Sequence, residues 1–499
     1  MPLFKSCLFL LLAMFTSAAL ANITSFFAQI KSDPKALYTF LKEMPKGGEL
    51  HYHLAGGAYP ETMLALAAKG NYCFDPLTSM ISKTDTCHGV KAATLATKPD
   101  AYHKVIRDWS MQDFVAGQQS GHDHFFASFF KFMPVVMDFR PQLLAEVIKR
   151  AADQHELYME IMILPDNAAS TGFAKLIGHS ESFADKQKIL LANQDFQKNI
   201  THTREESTRI LQETHRILGC DSKPKQPVCR VTVKFQYYIL REQALDNMFA
   251  QALNGFAAAA ASNNIIGVNL VQAEDGVISM RDYRAQMQVM KFMHTAYPHV
   301  HIALHAGELS TAIVSPQELG FHIRDAIFTG QAQRIGHGVD ITYEKDGGQL
   351  IKHMADKSIA VEINLISNRK VLNIGGQEHP LRYYLANHVP VVLSTDDEGI
   401  LRTDLTEQYV EAVTHHGLDY PTIKAINRNT LTYSFLAGKS LWADPRKSIR
   451  VKACQNLASP ACRLFIKNSP KAQLQWLLEN QLALFEQRYQ AVLSTRHSR

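Results

Sequence analysis

The sequence predicts an α/β fold, a closed (β/α)8 TIM barrel with long insertions after its first two strands. Two observations predict it. Eight short apolar, β-rich runs alternate with helical patterns, which implies a parallel sheet. The residues fit for chemistry stand at the C-terminal ends of those runs and are drawn from the whole chain. An open doubly wound sheet is the competing architecture, but only a closed ring brings the ends of the first and eighth strands to one mouth. A chain of 499 residues, 46% of them hydrophobic, is ample for so large a core.

In chain order the runs are GGELHYHL (47–54), ELYMEIMIL (156–164), RVTVKFQYYIL (230–240), IIGVNLVQ (265–272), HIALHAG (301–307), RIGHGV (334–339), AVEINLI (360–366) and VPVVLST (389–395). Helical patterns lie between most of them, as at 243–262, 281–296 and 403–417. Residues 55–155 and 165–229 are too long for barrel loops and read as decorations of a single barrel domain over 22–499. Residues 440–499 form an extension with a helical ending at 471–492.

The N-terminus reads as a signal peptide over 1–21. Lys5 gives a positive segment, Cys7 to Phe15 an apolar one, and Ala19-Leu20-Ala21 a small-residue cleavage site. The apolar run is too short to span a bilayer; a membrane anchor or a buried first helix is the alternative. The six cysteines beyond it fall into local pairs, Cys73 with Cys87, Cys220 with Cys229 and Cys454 with Cys462. An even number behind a signal peptide favours disulfides, and none of the pairs has the CxxC spacing of a zinc ribbon. Other connectivities stay open. The expected location is therefore the periplasm or the medium, with no membrane attachment after cleavage. The net charge of +5 is dispersed, with no basic stripe for nucleic acid. Two NxT sequons, at Asn22 and Asn199, matter only if the source glycosylates.

Residues i and i+2 of a strand face one side, so His51 and His53 point together into the barrel at the end of the first strand. His305 ends strand five and Asp396 strand eight. Three histidines and an aspartate suit one zinc ion per chain, with a position left for water. The alternative is a set of core histidines with a helix-capping aspartate. A two-metal site would want a bridging lysine late in strand four, where Gln272, Ala273 and Glu274 stand. The pair His122 and His124 repeats the HxH pattern with no strand before it, and His301 lies about 13 Å ahead of His305 at strand rise. Zinc lowers the pKa of a water it binds. His337, one strand over, can hydrogen-bond that water, and Asp396 can share its proton. Glu308, three residues past His305, is placed as a general acid toward a ring nitrogen, and Asp397 toward a second one. The alternative for both carboxylates is a place in the first turn of a helix.

MPKGGELHYHL (44–54), HAGE (305–308), RIGHG (334–338), EINLISN (362–368) and STDDE (394–398) resemble, in order, motifs of the adenosine deaminase family of metallo-dependent hydrolases. The resemblance covers about residues 44–440. It implies hydrolytic deamination of adenosine or 2′-deoxyadenosine to the inosine counterpart, with release of ammonia. By that likeness His51, His53, His305 and Asp396 bind zinc, Glu308 protonates N1, His337 positions the water and Asp397 contacts N7. In layout the chain is similar to the secreted branch, the adenosine deaminase-related growth factors, through its signal peptide, its cysteine-bearing insertion and WSMQDF (109–114). In that branch the tryptophan borders the nucleoside pocket, which makes Trp109 a substrate contact; a packing aromatic is the alternative. The branch's long N-terminal dimerisation arm has no counterpart here, so its dimer is not carried over. The chain departs from the cytosolic pattern at Ala55, where an aspartate meets the ribose 5′-hydroxyl, and at Gln272, where the backbone of a glycine meets N3. Gln272 thus enters the substrate-binding set as an altered contact. The expected partner is a small purine nucleoside. A different 6-aminopurine (adenine, a modified nucleoside or a nucleotide) is a second reading, and a secreted adenosine-binding or signalling protein a third.

Overall fold

The computed structural model describes residues 23–497, so the signal peptide expected at 1–21 lies outside the described residues. Eight strands form the barrel: β1 (Lys46–His53), β2 (Glu156–Ile163), β3 (Thr232–Leu240), β4 (Ile265–Val271), β5 (His301–Ala306), β6 (Arg334–His337), β7 (Ala360–Ile363) and β8 (Val391–Leu393). They lie side by side in chain order, each parallel to the next. The ring closes where Tyr52 bridges Asp396: the Asp396 N–H donates to His51 O (3.3 Å), and the His53 N–H to Asp396 O (3.0 Å). The open-sheet alternative is thereby excluded. Every residue of β2, β6, β7 and β8 is buried. Strands covered on both faces need this near-continuous apolar character.

The backbone turns left-handed at or just past the ends of three strands. Gln272, His337 and Asp396 take φ of +86°, +68° and +70°. The first two turns stand at the ends of β4 and β6 and the third at the closing bridge past β8, and such backbone costs about 1–3 kcal/mol each for residues other than glycine. Such strain at strand ends marks the barrel mouth as a functional surface.

The first insertion holds a small antiparallel sheet (Tyr72–Phe74, Ile81–Lys83, Val90–Lys91) and a kinked helix, Gly121–Asp153. It reaches over the mouth to the loops after β4, β7 and β8. The His122 Nε2 lies 2.9 Å from Asp275 Oδ1, and the Met111 N–H donates to Ile400 O (2.7 Å). Gly121 packs so closely on Lys370 that a Cβ there would lie 1.9 Å from its carbonyl oxygen. The second insertion holds the helices Phe183–Ala192 and Gln194–Ile217, and the tail ends in the helix Pro470–His497. All three expected disulfides are formed: Cys73–Cys87, Cys220–Cys229 and Cys454–Cys462. The Asn199 side-chain amide donates to Asp166 and Asn254 (3.1 Å each), so that sequon is engaged inside the fold. No described helix is long and apolar enough to cross a membrane.

Candidate active site

β1, β5 and the turn after β8 bring His51, His53, His305 and Asp396 to one point. His53 Nε2 lies 3.1 Å from His305 Nε2 and 3.3 Å from Asp396 Oδ1; His51 Nε2 lies 3.3 Å from the same oxygen. Ligands placed tetrahedrally about 2.0–2.1 Å from a zinc ion stand about 3.3–3.4 Å apart, so these spacings fit one small divalent ion. His51 Nε2 is buried and has no hydrogen-bond partner, as a nitrogen reserved for a metal would be. The metal-capable atoms form two overlapping groups, His51, His305, His337 and Asp396, and His53, Asp396 and Asp397, each within 4.8 Å.

Three of the four expected ligands are aimed by a buried partner. His51 Nδ1 meets Glu362 Oε2 at 2.8 Å, and His305 Nδ1 meets Asn269 Oδ1 at 2.9 Å. Asp396 Oδ2 accepts from Ser367 Oγ (2.7 Å). Burial pulls the His53 imidazole down to about 4 and His337 to about 3, and takes His305 well below the usual histidine range. All three are therefore neutral near pH 7, the form that binds metals. Burial also opposes charge on His51, but the Asp396 and Glu362 carboxylates outweigh it and push that imidazole up to about 10. Metal binding at His51 must therefore displace a proton. Removing the carboxylate that aims His51 is expected to matter. Glu362→Gln should weaken zinc about 10–100-fold in a competitive chelator titration, and an unchanged affinity would show that the pair only packs.

Glu308 leaves β5 on a turn fixed from both sides. Glu274 accepts the N–H groups of Gly307 (3.1 Å) and Glu308 (2.8 Å), while Gly307 O accepts from Val339 N–H (2.7 Å). Glycine is required at 307: its φ is +77°, and a Cβ would lie 2.4 Å from Asp340 Oδ1. Burial favours the acid form of Glu274, but His322, with Nδ1 2.6 Å away, Arg241 and the Glu308 N–H pull its carboxyl down to about 2. The Glu308 carboxyl moves the other way, up to about 8, through burial and then the negative charge of Asp396. Its Oε1 lies 3.7 Å from His337 Nε2. Asp397 is buried with Oδ1 unpartnered, and burial followed by the Asp396 charge raises its carboxyl well above the usual range. Neither carboxylate caps a helix. No helix starts at Glu308, and Asp397 precedes the short helix Glu398–Leu401 without a capping bond.

Two expected substrate contacts have side chains engaged within the protein. Trp109 is fully buried, its indole N–H donating to Ser79 O (2.8 Å) and its ring packed on Phe132, as the packing alternative expects. The Gln272 side chain is tied to the Glu242 N–H (2.9 Å), while its backbone keeps a glycine-like φ. The histidines set aside have other duties: His122 pairs with Asp275, and His301 stacks on Phe435 with ring centroids 4.6 Å apart. Sequence reasoning missed Glu274, Glu362, Asn269 and Asn368. Glu362 and Asn368 stand inside the EINLISN motif, and an acid two residues past a strand end was the signal available for Glu274.

Fold and site together define a (β/α)8-barrel hydrolase with three imidazoles and a carboxylate converging at its mouth. The family model described as adenosine deaminase matches residues 45–443. The chain belongs to the adenosine deaminase family. An adenosine deaminase of Klebsiella pneumoniae is 31% identical over 138 residues, 28% of this chain and 38% of that protein. An aminodeoxyfutalosine deaminase of Streptomyces coelicolor is 32% identical over 150 residues, 29% of this chain and 35% of that protein. The chain thus matches little more than a third of the length of these curated relatives. A solved adenine deaminase of Arthrobacter aurescens superposes with a TM-score of 0.52 at 17% identity, covering 79% of this chain and 94% of that one, a likeness of fold.

Proposed function

We propose that the chain is a zinc-dependent deaminase of adenosine or 2′-deoxyadenosine, releasing ammonia and the inosine counterpart. The observation that carries this reading is a carboxyl held as an acid, Glu308, beside a neutral imidazole, His337, at the edge of a four-ligand group. His51, His53, His305 and Asp396 would hold one zinc ion, which supplies Lewis-acid activation of a water molecule. Glu308 delivers its proton to N1, which draws electron density from C6 and opens that carbon to the water oxygen. His337 orients the water, and Asp396 receives the proton it gives up. The remaining hydroxyl hydrogen then passes to the amino group, the C6–N bond breaks as ammonia leaves and the C6 carbonyl forms, N1 keeps the proton from Glu308, and the proton held by Asp396 returns Glu308 to its acid form. Asp397, whose carboxyl burial pushes toward the acid form, donates to N7, which only accepts.

A different 6-aminopurine as substrate is favoured by Ala55, which has no polar group to offer a ribose hydroxyl, and by the engaged side chain of Gln272. A panel of adenosine, 2′-deoxyadenosine, adenine and adenosine monophosphate separates the readings. Highest kcat/KM for a nucleoside supports the first, and for adenine or the nucleotide the second. We also read the chain as exported to the periplasm or medium, a reading supported by its three disulfides.

A further inference from the structure

Behind His337 a buried line of hydrogen bonds leads away from the mouth. His337 Nδ1 lies 2.9 Å from Asn368 Nδ2, Asn368 Oδ1 lies 3.0 Å from His379 Nε2, and His379 Nδ1 lies 3.1 Å from the Leu381 backbone nitrogen. His337, Asn368 and His379 are all buried. A backbone N–H can only donate, so His379 Nδ1 is the bare, accepting nitrogen. Burial pulls that imidazole down to about 3, so it is neutral and its one hydrogen sits on Nε2. That hydrogen goes to Asn368 Oδ1, which fixes the amide with its NH2 toward His337. His337 Nδ1 must then accept, leaving the ring's hydrogen on Nε2. Nε2 is buried, has no hydrogen-bond partner, and faces Glu308 Oε1 at 3.7 Å and Asp396 Oδ2 at 3.9 Å.

We infer that Asn368 and His379 are positioning residues that lock His337 in the Nε2–H form, as a hydrogen-bond donor aimed into the mouth and not a metal ligand. The same logic runs the opposite way at the ligands. Asn269 Oδ1 accepts from the His305 backbone N–H (3.1 Å), so this atom is the amide oxygen; His305 Nδ1 must donate to it, and its Nε2 is bare. His51 Nδ1 likewise faces the Glu362 carboxylate, which only accepts, so Nδ1 keeps its hydrogen and Nε2 is the nitrogen that gives up its proton to a metal. A nitrogen that carries a hydrogen has no lone pair for a metal. Although His337 lies within 4.8 Å of His51, His305 and Asp396, the fourth place at the metal falls to His53. That Nε2–H serves the reacting water rests on the proposed deamination; the tautomer itself does not.

The test is nitrogen-15 NMR of the zinc-loaded full chain with labelled histidine, His337 being assigned by its disappearance in His337→Gln. The wild type should show His337 neutral with hydrogen on Nε2. Asn368→Asp keeps the size but offers Nδ1 only an acceptor, so the hydrogen should move to Nδ1. Its kcat for adenosine should fall about 100-fold or more, as when a misheld imidazole presents the wrong nitrogen, while zinc content and KM stay within about threefold. A wild-type His337 carrying hydrogen on Nδ1 would overturn the inference, as would a switched tautomer with unchanged kcat. If Asn368→Asp does not fold, the wild-type spectrum alone decides. If the zinc-loaded wild type deaminates no 6-aminopurine, the proposed function fails while the spectrum still decides the tautomer.

Discussion

Glu308→Gln is expected to lower kcat for adenosine by about 10²–10⁴-fold with the metal still bound. The amide keeps the shape of the side chain and lies outside the four-ligand group, so neither the pocket nor the metal should change. It loses only the proton for the ring nitrogen. The native carboxyl is suited to that task because burial and then the Asp396 charge push it up to about 8. It is also rigidly presented, since Glu274 accepts both the Gly307 and Glu308 N–H groups. Steady-state kinetics beside metal analysis reads the outcome. A variant that keeps more than a tenth of wild-type kcat would remove Glu308 as the acid, and one that loses its metal would make it part of the ligand group.

The largest stability effect is expected at Arg334. Its guanidinium lies inside the barrel with Nη2 2.6 Å from Glu160 Oε2 and Nε on Glu362 Oε1; Nη1 donates to Tyr433 O (3.0 Å), and the guanidinium sits 3.6 Å over the Phe435 ring. All three charged groups are almost wholly excluded from water. Arg334→Met leaves two carboxylates buried without their cation, which should cost about 3–5 kcal/mol in urea unfolding. The loss should also reach the site, because Glu362 aims His51. A cost below about 1 kcal/mol would mean that the carboxylates take up protons or reach water freely.

The fold was legible because a parallel barrel writes itself as apolar runs separated by helical periods. All eight runs became strands. The exact strand ends were less legible: Gln272 and His337 adopt left-handed backbone that propensity does not anticipate, and the run to 366 continues into the helix Leu365–Leu372. The groups nearest the reaction were visible too. His51, His53 and His305 sit at strand ends, where alternation fixes their direction. What aims them was not. Glu362, Asn269 and Asn368 reach their partners from other strands and loops, and such long-range pairings leave no local period. Trp109 shows the opposite balance. A motif placed it beside a pocket, but the insertion packs it against Phe132 and Ser79.

The most direct measurement is a single assay: protein with adenosine, following ammonia release and the ultraviolet change at the purine, before chelation, after it and after zinc is restored. Turnover should be present, vanish with the metal and return with zinc. Zinc-loaded protein that leaves adenosine and every other 6-aminopurine unchanged, or turnover that survives complete removal of metal, would contradict the account.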